Sequence, residues 1–343
     1  MLRYLTSGES HGKCMLTIVD GLPAGLDVEA KKINNELVRR MVGHGRGKRM
    51  AIEADKVEIL SGLRKGRTIG SPVALMVKNV DQSIDKLPLV LEPRPGHADL
   101  SGVLKYGLSD VRDVLERASA RETVARVGVG ALAKILLDEF DIGVASHVTM
   151  IGGVAADTKT LGFNQIVTIA EKSPVRCADP DAGKMMCKVI EEAMEGGDTL
   201  GGVFEVIVKG VSFGMGFEAA SRMGSAVHDE IFHDKERGFY RKTNNAGGIE
   251  GGMTNGESII MSAVMKPIST LRKALSSVNI KTKHPVKATV ERSDVCAVPA
   301  AGVIGEAVTA IVIANAMIEK FGGDSIAEMR RNYEGYLAQV RKF

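Results

Sequence analysis

The stretch Ser119-Ala120-Arg121-Glu122-Thr123-Val124-Ala125-Arg126-Val127-Gly128-Val129-Gly130-Ala131-Leu132-Ala133-Lys134-Ile135-Leu136-Leu137 opens with a Ser-x-x-Glu capping box, then stays small and aliphatic around most of a helical circumference. It predicts a helix from Ser119 to about Phe140 that needs cover on both sides. Residues 300–321 have the same character, so two buried helices are expected. Each follows an arginine-bearing segment, Glu116-Arg117-Ala118-Ser119 and Glu291-Arg292-Ser293-Asp294, a sign of internal duplication. No short fixed period supports a solenoid or a propeller.

Outward from this pair, residues 4–7 and 15–19 read as strands joined by the Gly8–Gly12 turn, the second stopped by Asp20-Gly21-Leu22-Pro23. Ile33, Leu37 and Met41 stand at helical spacing within residues 28–42, and residues 57–63 and 73–77 read as strands. Residues 152–197 are more polar, carry Pro174 and Pro180, and include an amphipathic helix near 182–194; they are expected to form a peripheral insertion within a single domain.

A chain of 343 residues, 44% hydrophobic and 25% charged, can bury a sizeable core. The strongly apolar run at 308–318 is too short to span a bilayer, and the first residues reach glycine and polar side chains before an apolar signal core could form, so a cytoplasmic protein without membrane association is expected. Cys14, Cys177, Cys187 and Cys296 are scattered without metal-ligand spacing, so neither a structural metal nor a disulfide framework is expected. A formal charge of +3 implies no polyanion partner, so local clustering of charge carries the information.

Six segments could carry chemistry. Gly8-Glu9-Ser10-His11-Gly12 has the Gly-x-Ser-x-Gly spacing of a hydrolase elbow, but a strand rather than a helix follows it; a tight turn, or a loop bringing His11 to a ligand, are the other readings. Five cations, Arg39, Arg40, Arg46, Lys48 and Arg49, fall within eleven residues and repel one another unless an anion sits among them. Nucleic acid is the rival partner, but no aromatic residue lies between Asn34 and Ala54 to stack on bases. Glu92-Pro93-Arg94-Pro95-Gly96-His97-Ala98-Asp99 fixes the backbone beside Arg94 and His97, or is an ordinary exposed turn. At Leu115-Glu116-Arg117-Ala118-Ser119-Ala120-Arg121-Glu122, the start of the buried helix offers free N–H groups beside Arg117 and Arg121; the alternative pairs these arginines with Glu116 or Glu122. Asn244 through Gly256, rich in glycine and including Gly251, can lie flat against a ligand, and Lys266-Pro267-Ile268-Ser269-Thr270 can supply charge and donors to a phosphate. Asp294, beside Arg292, is either one half of an ion pair or a proton acceptor.

Taken together, in order from Gly8 to Glu306, these segments resemble the chorismate synthase family. The resemblance implies an α+β fold, a β-α-β sandwich whose buried central helices lie between antiparallel sheets related by a pseudo-twofold, assembled as a homotetramer. It also implies anti-1,4-elimination of phosphate from 5-enolpyruvylshikimate 3-phosphate to give chorismate, with reduced FMN required and no net redox change. His11 would assist the leaving phosphate, His97 would serve the reduced flavin, and Asp294 would take part in proton transfer. Ser10, Arg40, Arg46, Arg49, Arg94 and Arg121 match substrate-binding positions. Arg117, Ala118, Ser119, Gly251, Lys266, Pro267, Ile268, Ser269, Thr270 and Arg292 match FMN-contacting positions. Arg40 and Arg46 are also where NADPH is placed in members that reduce their own flavin. The partner is thus a small-molecule substrate rather than nucleic acid.

One departure stands out. After the strand ending near Val208 the family has a connecting stretch with a Gly-Leu-Gly turn, a helix and a Ser-Ile-Asn-Ala strand that contributes flavin contacts. Here Lys209-Gly210 leads almost directly to Val211-Ser212-Phe213-Gly214.

Overall fold

The computed structural model describes residues 1–47, 55–158, 160–209, 223–234, 238–251, 253–291 and 293–342. Alternation builds the first sheet. Val73, Leu75 and Val77 are buried while Ala74, Met76 and Lys78 are not, as a strand with one face on a core requires. Strands β1 (Arg3–Ser7), β2 (Cys14–Asp20), β3 (Val57–Ser61) and β4 (Val73–Lys78) pair antiparallel in the order β1-β2-β4-β3. Strands β5 (Val144–Ile151), β6 (Val154–Ala155), β7 (Gly202–Val208) and β8 (Ile259–Met265) form a second antiparallel sheet in the order β8-β7-β5-β6. Chain and sheets together are of the mixed α+β class.

The helices that bear on the site are α1 (Ala30–Met41), α2 (Asp99–Tyr106), α3 (Val111–Arg117), α4 (Thr123–Asp138), α5 (Pro180–Glu195) and α6 (Val298–Phe321). Helix α4 packs on the first sheet, α6 packs on β5 and β7 of the second, and the two helices pack on each other. They approach to backbone contact at Gly130, where an added Cβ would lie 2.3 Å from the Cβ of Ala307. Any side chain there would force the helices apart, because a close-packed interior has no room to yield. Leu132, Leu136 and Leu137 are fully buried, as the all-round apolar pattern predicted. Helix α6 is long and apolar enough by length and composition to cross a membrane, yet Val303, Ala310 and Ala314 on it are fully buried in this fold.

Two expectations are altered in detail. Ser119 does cap, accepting from the Arg121 N–H at 3.2 Å, but it caps a 3-10 turn, Ala120–Glu122, that leads into α4. The Glu122 carboxylate does not complete a box; it accepts from Thr6 and from Arg126 one helical turn on, where two charge-assisted bonds outweigh one bond to a main-chain N–H. Residues 152–197, expected at the periphery, supply Met186 and Ile190 of α5, fully buried, to a second core with Cys177, Phe204, Cys296 and Val298. An amphipathic helix with that much apolar face is stable only when the face is covered. Cys14, Cys177, Cys187 and Cys296 are free thiols.

Candidate active site

The turn after β1 comes first. Gly8 has φ +127°, and a Cβ on it would meet the Cys14 carbonyl oxygen at 2.3 Å, so only glycine lets the chain fold back here. The turn docks on the end of α3. The His11 N–H donates to Glu116 Oε2 at 2.8 Å, His11 Nδ1 lies 2.8 Å from Glu116 Oε1, and the Ser10 N–H donates to the Glu116 carbonyl at 3.3 Å. Ser119 Oγ donates to Ser10 Oγ at 3.0 Å. Burial raises the Glu116 carboxyl, but bonds from the His11 ring and main chain and the charge of Arg112 prevail and bring it below its ordinary value.

Asn79 ties this turn to the start of α4. Its Nδ2 donates to the carbonyls of Glu9 and Gly12, and its Oδ1 accepts from Arg121 Nε at 2.9 Å. Asp55, buried, bridges two arginines: Oδ1 accepts from Arg121 Nη1 at 2.5 Å, and Oδ2 accepts from Arg40 Nη1 at 3.3 Å. Arg40 also donates to Thr123 Oγ1 and to the Ala120 carbonyl. Beyond the end of α1, Arg46 Nη1 pairs with Asp294 Oδ2 at 2.7 Å, and the Gly47 N–H donates to Asp294 Oδ1 at 2.6 Å. Arg40, Arg46 and Arg121 are thus gathered with the carboxylates of Asp55 and Asp294. Burial pushes the Arg40 guanidinium down to about 10, with Asp55 opposing and Arg46 and Arg121 adding to the fall. Guanidinium groups brought this close together favour an anion among them.

A second group forms on the Pro-fixed loop. Arg94 donates to Asp99 through its main-chain N–H at 2.9 Å, through Nε at 2.8 Å and through Nη2 at 3.0 Å, while His97 Nδ1 lies 2.5 Å from Asp99 Oδ1. Asp99 is fully buried. Burial raises its carboxyl, and the bonds from His97 and Arg94 overcome that and hold it far below the usual range. Arg94 Nη1 donates to Thr270 Oγ1 at 2.8 Å and Lys266 Nζ donates to the Gly96 carbonyl at 2.6 Å, which brings residues 266–270 onto this loop. The main chain connects the two groups, since the Ile84 N–H donates to the His11 carbonyl and the chain runs from there to Arg94.

The expected site residues therefore divide. Ser10, His11, Ser119, Arg40 and Arg121 come together, with Arg46 and Asp294 paired beside Arg40; Arg94, His97, Lys266, Ser269 and Thr270 form the other group. The Ile268 carbonyl accepts from Thr199 Oγ1, and Pro267 lies against Gly201. Ala118 closes the end of α3. Arg117 is exposed and turned to Tyr106, its guanidinium 4.6 Å from the ring centre. Gly251 sits in the turn of a hairpin with nothing within 4 Å of where its Cβ would be. Arg49, Arg292 and the Gly210 junction lie outside the described residues.

The alternative pairing of Arg117 or Arg121 with Glu116 or Glu122 is not what forms: Glu116 holds His11, Glu122 holds Arg126, and Arg121 finds Asp55. Asp55, Asn79 and Asp99 join the site without being expected from the sequence. Asp99 alone had a signal within reach, standing five residues from Arg94 in a rigid Pro-Gly turn.

An α+β scaffold that gathers arginines beside imidazoles held on carboxylates fits the class of enzymes that act on a small, charged molecule. The chain belongs to the chorismate synthase family, whose family model matches residues 2–211 and 207–318. It is 49% identical over 393 residues to a chorismate synthase of Geobacter sulfurreducens and 48% identical over 390 residues to one of Bacillus pumilus, covering all of both chains in each case. The crystal structure of a chorismate synthase superposes with a TM-score of 0.82 at 38% identity, covering 100% of this chain and 99% of that one. The chain is accordingly a lyase that eliminates phosphate from 5-enolpyruvylshikimate 3-phosphate to give chorismate. Because the Geobacter alignment runs to 393 positions against 343 residues here, about fifty positions of that relative have no counterpart. The family match divides at 207–211, where the sequence departs from the family pattern.

Proposed function

We propose that the first group of side chains binds the substrate and that His11 protonates the phosphate as it leaves. The observation that carries this is the gathering of Arg40, Arg46 and Arg121 beside the turn that presents His11. The substrate bears two carboxylates and a phosphate, and charge-assisted bonds contribute about 1.5–3 kcal/mol each to holding such groups. In the elimination a ring C–H bond and the C–O bond to phosphate break, one new C=C bond forms, and the proton and phosphate depart. His11 supplies a proton to the phosphate oxygen, and Asp294, held by Arg46 and the Gly47 N–H, serves proton transfer on the ring side.

The second group fits a flavin phosphate and ring. Its donor set is a lysine, an arginine, an imidazole and the hydroxyls of Ser269 and Thr270, arranged about Gly96, where a Cβ would intrude to 3.4 Å from Ser269 and 3.6 Å from Lys266 Nζ. Lys266, Pro267, Ile268, Ser269 and Thr270, with Arg117, Ala118, Ser119, Gly251 and Arg292, would hold reduced FMN, and His97 would stabilise its charge. Reduced FMN, when bound, supplies transient electron density to the substrate as phosphate leaves. Arg49 and Arg94 would complete the substrate's cations, Arg94 standing between substrate and flavin, and NADPH as reductant would be placed at Arg40 and Arg46.

We extend the reading to a β-α-β sandwich with pseudo-twofold halves, which the packing of α4 and α6 on separate four-stranded sheets supports, and to a cytoplasmic homotetramer. Self-association draws support from the outer face of the first sheet, where Leu5 and Ile18 pair in register and stay exposed.

The test is turnover under reducing conditions with added FMN. His11→Ala and His97→Ala should each fold and lose about 100-fold or more in kcat. Near-wild-type turnover in either variant removes that imidazole from the mechanism, and an FMN absorbance spectrum unmoved by the protein, with or without substrate, removes the flavin assignment.

A further inference from the structure

We infer that Glu116 is a positioning residue for the reaction, fixing the ring of His11 and directing its negative charge at it. The inference rests on His11 being the proton donor. A single carboxylate takes both the main-chain N–H and the ring of the same histidine, at 2.8 Å each, so it sets the turn and the imidazole plane together. Its own main-chain carbonyl accepts from the Ser10 N–H, which locks the turn to the end of α3 at a third point.

Among the described residues no guanidinium hydrogen-bonds to this carboxylate. Arg112, the cation acting on it from the same helix, donates instead to Glu291 Oε1 at 2.8 Å and to the Pro88 carbonyl. The hydroxyls of Ser10 and Ser119 on the neighbouring segments are neutral. With Nδ1 occupied by Glu116, Nε2 is the nitrogen left to meet the phosphate oxygen. Glu116 therefore acts through His11 without touching the substrate.

Glu116→Gln separates position from charge. The amide oxygen can still accept the His11 main-chain N–H, but the amide nitrogen then faces Nδ1 and disfavours the imidazolium. The alkaline limb of kcat/KM should move to lower pH by about one unit. Turnover near neutral pH should fall about 10-fold or more and recover on acidification, with KM little changed. Glu116→Asp should restore part of the loss. A ¹⁵N-histidine NMR titration of the holoenzyme, with His11→Ala for assignment, should show the His11 signal titrating at lower pH in Glu116→Gln. An unmoved pH profile and His11 titration, or an equal loss at every pH, would overturn the role of Glu116. If His11→Ala retains turnover it is the proton-donor reading that fails, so the two failures are distinct.

Discussion

His97 shares its carboxylate with an arginine, whereas His11 has its carboxylate to itself. Asp99 takes three bonds from Arg94 besides the one from His97, so its charge is largely matched before the imidazole is counted. Among the described residues, Glu116 takes His11 twice and no guanidinium. On the inference above, the same pairing yields a rigid, internally neutralised anchor on the Pro-fixed loop and an electrostatic device on the glycine turn. The difference lies in whether a cation stands within hydrogen-bond reach of the acid.

That contrast can be broken most forcefully at Asp99. Its truncation to Ala leaves Arg94 buried without its counter-charge, so Asp99→Ala should destabilise the fold by about 3–5 kcal/mol in urea titrations. Glu116→Ala should cost less, about 1–3 kcal/mol, because the imidazole left behind is partly exposed and can hydrogen-bond to water. Equal losses would erase the distinction between anchor and device.

Acid should sharpen the comparison. Both carboxyls lie below their ordinary values of 3.8 and 4.5 in the folded protein, so each stabilises above that value and loses its contribution as pH falls through the folded one. The stability gap between wild type and Asp99→Asn should therefore be full at pH 7 and close only well below pH 3.8, while the gap for Glu116→Gln begins to close below 4.5. The check is urea unfolding at stepped pH, and a gap that closes at neutral pH would contradict the bonding described.

Smaller effects mark the edges of the two groups. Ser119→Ala removes the cap of the turn before α4 and the bond to Ser10, which should lower stability by about 1 kcal/mol and loosen the His11 turn, read as a higher KM. Arg117→Ala, on an exposed side chain stacked on Tyr106, should change the melting free energy by under about 0.5 kcal/mol. A loss in FMN affinity without a loss of stability in that variant would support its flavin role.

Much of the scaffold could be read directly. The strands at residues 4–7, 15–19 and 73–77, the helix over 28–42 and both apolar helices stand where alternation and helical spacing put them. The site residues were legible as an inventory of cations and imidazoles, but their partners were not. Glu116 and His11 are 105 residues apart, Asp55 and Arg121 are 66 apart, and Arg94 and Thr270 are 176 apart. The capping box misled in part for the same reason, since Glu122 had better partners in Arg126 and in Thr6 of another strand.

The sequence by itself determined the elements, the two apolar helices that must be covered, and the stock of charged groups in segments that match one family. Those features depend on neighbours within a turn or two of the chain, where backbone geometry fixes which side chains share a face. Only the tertiary structure decided which acid serves which base, and so which histidine is anchored and which is aimed. Electrostatic pairing falls off with distance through space, and folding brings distant residues together without regard to their order in the chain.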